Sequence, residues 1–201
     1  SDAIAYTYQQ GGHSFYVLTF PTGNATWVYD AATEAWHERA GWVNGKFFRH
    51  RSNCQMAFNN QIVVGDFENG NLYAFDLDVY ADNGNIQKWL RSWRALPTGQ
   101  NNLKRTSHHT LQLDCESGVG LNLGQGSDPQ VMLRWSDDAG HTWSNEHWSP
   151  VGKIGNYQQR VFWRRLGMTL KLRDRVYEVS GTDPVKTVIM GAELILSGTN
   201  A

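Results

Sequence analysis

One short pattern, a strand of alternating aromatic residues closed by an aspartate, recurs along this chain and restricts it to folds made of small antiparallel sheets. Asn24-Ala-Thr-Trp-Val-Tyr-Asp30 has the same shape as Gly70-Asn-Leu-Tyr-Ala-Phe-Asp76, 46 residues later. Val131-Met-Leu-Arg-Trp-Ser-Asp137 repeats it 61 residues after the second copy. A Trp follows the aspartate by six positions in the first and third copies, as Trp36 and Trp143, whereas Asp82 holds that place in the second. Asp174 to Asp183 supplies a fourth unit, 46 residues beyond the third when Asp183 is aligned with Asp137. A spacing of about 40 to 50 residues with several strands per unit predicts a β-propeller-like fold, whose antiparallel multi-stranded blades bury their faces against neighbouring blades.

Composition agrees with an all-β chain. Aromatics reach 12%, with 9 Trp, and 20 glycines provide tight turns, a pairing that favours short strands over helices. Alternation or apolar runs bounded by Gly, Asn, Asp or Pro predict strands at 13–20, 26–30, 61–66, 71–76, 106–113, 131–136, 160–166, 175–180 and 185–196. Asn69-Gly70 predicts a hairpin, since both turn positions tolerate positive φ. The stretch 77–90 has room for one or two helical turns but is interrupted at Asn83-Gly84. Gly11-Gly12 followed by Tyr29 and Trp36 is similar to a kelch blade, where the aromatic pair packs between adjacent sheets. The expected organisation is one propeller-like domain over 1–201, complete or partial, with kelch-like blades in 1–100 and Asp-box and Arg-rich blades in 101–201.

Two cysteines, Cys54 and Cys115, provide neither a disulfide framework nor a four-cysteine zinc site. Two free thiols, or one disulfide between them, are the alternatives. No basic leader with an apolar segment opens the chain, and no stretch approaches the roughly 20 apolar residues that cross a bilayer, so a soluble chain is expected. Because it begins with Ser1 and not Met, a processed chain or a fragment is expected.

Ser136-Asp-Asp138-Ala-Gly140-His-Thr142-Trp143 fits the Asp-box pattern Ser-x-Asp-x-Gly-x-Thr-Trp. In such a turn Ser136, Asp138 and Thr142 hydrogen-bond the local amides, Gly140 permits a left-handed φ, and Trp143 covers the hairpin on its core side. Sialidases carry Asp boxes, but their early Arg-Ile-Pro motif is absent here and only one box is present, so an enzyme is not expected. His108 and His109 are adjacent, so on a strand they face opposite ways and cannot share a metal. His141 and His147 have no Cys or carboxylate at metal spacing, and no metal or cofactor is expected. Gly118-Val-Gly120 and Gly124-Gln-Gly126 read as a mobile loop between blades. Asn24-Ala-Thr26 matches a glycosylation acceptor by chance.

The whole chain carries 18 basic and 19 acidic groups, which argues against a uniformly cationic nucleic-acid binder. Charge is nevertheless uneven: residues 134–175 hold eight basic and four acidic groups, a net +4. A strand would place Arg160, Phe162 and Arg164 on one face and Val161, Trp163 and Arg165 on the other, and arginine beside Trp can stack and pair with phosphate or carboxylate.

Five segments in this third, Asp128 to Trp148, Gly152 to Tyr157, Arg160 to Gly167, Arg173 to Val179 and Thr182 to Lys186, together resemble the packaged-DNA-stabilisation, or tail accessory, proteins of short-tailed bacteriophages. Members of that family are larger than this chain, which implies a fragment or a short relative. The resemblance implies a virion structural protein that joins the head-to-tail connector, helps retain packaged DNA and links to the next tail component. Implied partners are other phage tail and portal proteins, further copies of the chain and packaged DNA, with host cytoplasm as the site of assembly. The residues expected to bind partner or DNA are Arg160, Trp163, Arg164, Arg165, Arg173, Arg175 and Trp148. The alternative is a propeller-type module that docks a glycan or host-surface molecule through clustered Trp.

Overall fold

The computed structural model describes residues 2–95, 105–169 and 175–198, which form strands and no helix. They divide into two compact units, 1–85 and 86–201, where the sequence predicts one continuous domain with a change of character at 100.

In the first unit β1 (Ile4–Gln10), β2 (His13–Phe20), β3 (Ala25–Asp30) and β4 (Ala35–Glu38) make a four-stranded antiparallel meander. β5 (Ala40–Val43) and β6 (Lys46–Arg49) form a hairpin, and β7 (Ser52–Phe58), β8 (Gln61–Asp66) and β9 (Leu72–Ala74) form a second meander. Alternation drives Tyr8, Val17 and Val28 to one face, where Tyr6, Phe15, Ile62 and Phe75 join them. The aspartates of the repeat close turns: Asp30 accepts from the amide of Ala32 at 3.0 Å, and Asp76 from that of Asp78 at 2.9 Å. Asp66 does the same for Glu68 at 2.7 Å. In its first two copies the recurring sequence is thus an Asx turn at a strand end, which any meander uses. Tyr29 and Trp36 are cross-strand neighbours on one sheet, with ring centroids 5.2 Å apart and Trp36 exposed, so the expected packing of this pair between sheets is not observed.

Two turns depart from expectation. The Asn69-Gly70 hairpin forms, but neither residue has positive φ; the Asp66 carboxylate organises it by accepting from Asn69 and Arg51. At 77–90 there is no helix. The tiny hairpin of β10 (Ala81–Asp82) and β11 (Asn85–Ile86) turns through Asn83 and Gly84, both with positive φ.

The second unit has two sheets. β12 (Trp89–Ala95), β17 (Arg175–Gly181), β14 (Gln130–Ser136) and β15 (His147–Pro150) pair in that order, and β16 (Val161–Arg164), β13 (Thr106–Cys115) and β18 (Ile189–Gly198) form the other. One hydrophobic cluster is shared between them: Val131, Leu133, Tyr177 and Val179 from the first sheet meet Leu111, Leu113, Val161 and Trp163 from the second. This is a sandwich, not stacked propeller blades, and no closed ring forms among the described residues of either unit. The glycine-rich segment 118–126 packs closely at its two ends, while 121–125 between them are exposed. A Cβ on Gly118 would lie 2.7 Å from the Tyr157 ring, and one on Gly126 2.9 Å from Val185. Both cysteines are free, Cys54 in the first unit and Cys115 in the second.

A buried histidine sits in the sandwich. His108 engages the Tyr177 hydroxyl through Nδ1 at 2.8 Å and the Thr106 hydroxyl through Nε2 at 3.0 Å. Desolvation, reinforced by the Arg175 cation, lowers its pKa to about 4. An unfolded histidine titrates near 6.5, so between that value and about 4 the unfolded chain takes up a proton that the folded chain refuses. Stability should fall as pH drops through this window. Thermal melts of wild type and His108→Gln across pH 7 to 4 should show a flatter dependence in the variant.

Candidate interaction surface

The turn over 136–142 closes on its own side chains, though not with every contact expected of an Asp box. At the end of β14, buried Ser136 accepts from the Gly140 amide at 2.8 Å and donates to Asp138 Oδ1 at 2.6 Å. Asp138 accepts from the Thr142 amide at 2.8 Å and from its hydroxyl at 2.6 Å. These donors hold the Asp138 carboxyl far below the ordinary carboxylate range. Gly140 adopts φ +96°. Trp143 does not join the core; it is half-buried with the Arg134 guanidinium 4.6 Å from its ring centroid, and Arg134 in turn pairs with buried Glu178.

The adjoining Asp137, which the motif does not require, has the larger structural role. It accepts a bidentate pair from Arg175, at 2.7 Å from Nε and 2.8 Å from Nη2. Arg175 is 1% exposed, and its remaining donors reach the carbonyls of Leu166 and Met168 at 2.7 and 3.2 Å. Its place among partner-binding residues is corrected: a fully buried guanidinium with hydrogen bonds from all three nitrogens is a structural tie between β17, the Asp-box turn and the 166–168 segment. The extra acid in Ser-Asp-Asp-Ala-Gly was the signal that sequence reasoning passed over.

Trp163 is corrected likewise. It is 6% exposed, belongs to the core, and donates its indole N–H to the His147 carbonyl at 2.8 Å. β16 is a sheet edge, so its alternation puts Val161 and Trp163 inward and Phe162 and Arg164 outward, the Arg164 guanidinium lying 4.4 Å from the Phe162 centroid. Arg160 precedes the strand and Arg165 follows it with φ +60°, and both are exposed. Trp148 is 59% exposed on β15, the edge of the other sheet. β16 thus brings Arg160, Arg164 and Arg165 to the surface along one edge, with Phe162 among them. Arg173 lies outside the described residues. No cluster of His, Cys, Asp or Glu among the described residues has the geometry to hold a metal ion.

Comparison with protein-family models matches residues 88–196 to the family described as bacteriophage P22 Gp10, β-sandwich. The chain belongs to that family. The P22 Gp10 match begins one residue before β12 and ends within β18, so it covers the two-sheet unit, and its description agrees with the shared core found there. All five segments quoted for the phage resemblance fall inside it. Comparison with curated proteins finds no match.

Two substitutions test this local architecture. Gly140→Val should destabilise the chain by about 1–3 kcal/mol, because a β-branched residue resists left-handed φ; urea unfolding reads this. Asp137→Ala leaves the Arg175 charge buried and should cost about 3–5 kcal/mol in the same assay.

Proposed function

We propose that this chain is a non-enzymatic structural protein of a phage virion, placed in the head-to-tail connector or tail machine. There it links to the next tail component and helps to retain packaged DNA. The observation that carries this reading is the P22 Gp10 family match over 88–196. The form of the second unit supports it. A sandwich whose core is closed by Arg175 and Trp163 is a stiff scaffold, while Arg160, Arg164 and Arg165 remain exposed for carboxylates of neighbouring virion proteins or for phosphates of the genome. Function is then mechanical and electrostatic, in several copies assembled in the host cytoplasm and retained in the particle.

One observation favours a second reading, a glycan-binding module. On the first unit's meander, Tyr16, Tyr29 and Trp36 line up across β2, β3 and β4, and Trp27 follows on the same face. Trp27 and Trp36 are exposed, and half-exposed aromatics on a flat face can stack on sugar rings.

Placing the protein on assembled particles by cryo-electron microscopy decides between them. Absence from the particle together with binding on a glycan array would overturn the structural reading. The double variant Arg164→Glu, Arg165→Glu should keep the wild-type melting temperature yet lose particle incorporation; unchanged incorporation would remove these arginines from the interface.

A further inference from the structure

The seven-stranded sandwich leaves one long strand open. β18 pairs with β13 on one side, and among the described residues no strand pairs with its other side. Natural sheets protect such edges by brevity, proline or lysine. β18 instead runs ten residues, Ile-Met-Gly-Ala-Glu-Leu-Ile-Leu-Ser-Gly, with Glu193 its sole charge. Met190 and Ile195 on it are 66% and 62% exposed.

The opposite edge of the same sheet, β16, carries complementary chemistry on the same face. Thr110 of β13 lies between Arg164 and Ile195, and Gln112 between Phe162 and Glu193. One edge therefore presents an acid and an aliphatic side chain outward, and the other presents an aromatic ring flanked by Arg164 and, two residues before the ring, Arg160. Both edges run antiparallel to β13, hence parallel to each other, which is the relation a sheet continued by rotation from one copy to the next requires.

We propose that β18 of one copy adds in parallel beside β16 of a second copy, extending the three-stranded sheet from subunit to subunit. Setting Ile195 beside the neighbour's Phe162 brings Glu193 beside Arg160 and Ser197 beside Arg164. Apolar side chains then meet at the centre and opposite charges at one end. Pairing β18 with itself about Glu193 would set two carboxylates opposite each other, a repulsion that the head-to-tail arrangement replaces with an ion pair. Such a contact uses two different surfaces and builds a ring or a filament, not a closed dimer. This names one partner within the structural reading above, but its test needs no phage particle.

Sedimentation velocity of the purified full chain over a concentration series is the experiment. Wild type should populate species larger than a dimer. Ile195→Lys, Glu193→Arg and Arg160→Glu should each shift the chain to monomer with an unchanged melting temperature, and Glu193→Arg combined with Arg160→Glu should recover the larger species. A wild type that stays monomeric at every concentration overturns the proposal. So does an oligomer that none of the three single variants weakens, or a charge swap that recovers nothing. A chain that assembles in this way yet is absent from particles overturns the virion reading and leaves the strand pairing standing.

Discussion

The second unit depends on two sheets burying the same cluster of side chains. Neither sheet could do so alone, because a three- or four-stranded antiparallel sheet has an apolar face that stays wet until another layer covers it. Leu111 and Trp163 on one sheet and Leu133 and Tyr177 on the other supply that cover. The register that places them runs through β13, whose partners β16 and β18 lie far along the chain. Each fully buried aliphatic or aromatic side chain contributes roughly 1.5–3 kcal/mol of transfer free energy, so the shared cluster outweighs any single polar contact in the unit.

The buried polar groups of this interior hydrogen-bond to one another and to backbone carbonyls. Among the described residues Arg175 is the largest fully buried side chain, and Asp137 with the carbonyls of Leu166 and Met168 accepts its hydrogen bonds. His108, Thr106 and Tyr177 form a neutral chain beside it. These contacts explain how a segment with a net charge of +4 can contribute to a core. Arg175 faces inward and is neutralised there by Asp137, whereas Arg160, Arg164 and Arg165 are exposed on or beside β16.

Much of the local structure is legible in the sequence because its causes are local. The strands over 13–20 and 61–66 appear with the predicted bounds, and Ser136, Asp138, Gly140 and Thr142 meet in one turn, while Trp143, named with them, stays outside the core. The recurrence is real in the sequence, but it does not specify propeller blades. In the first two copies the aspartate closes an Asx turn, a device shared by meanders in propellers, sandwiches and isolated sheets alike, whereas Asp137 of the third copy pairs with Arg175. Spacing along the chain therefore carries no information about which sheets stack. The same limit explains Trp163 and Arg175. Alternation says that neighbours on a strand face opposite ways, but not which of the two faces is inward.

By itself the sequence determined that the chain is all-β, where many of its strands run, how its Asp-box turn is held, and that it is related to phage proteins. Strand alternation, turn chemistry and motif order are properties of neighbouring residues. Only the tertiary structure decided that residues 86–201 hold a two-sheet sandwich, that Arg175 and Trp163 are interior, and that Arg160, Arg164 and Glu193 are at free edges. Those outcomes depend on pairing between strands tens of residues apart, and the free energy that selects such pairing comes from burying both sheets together.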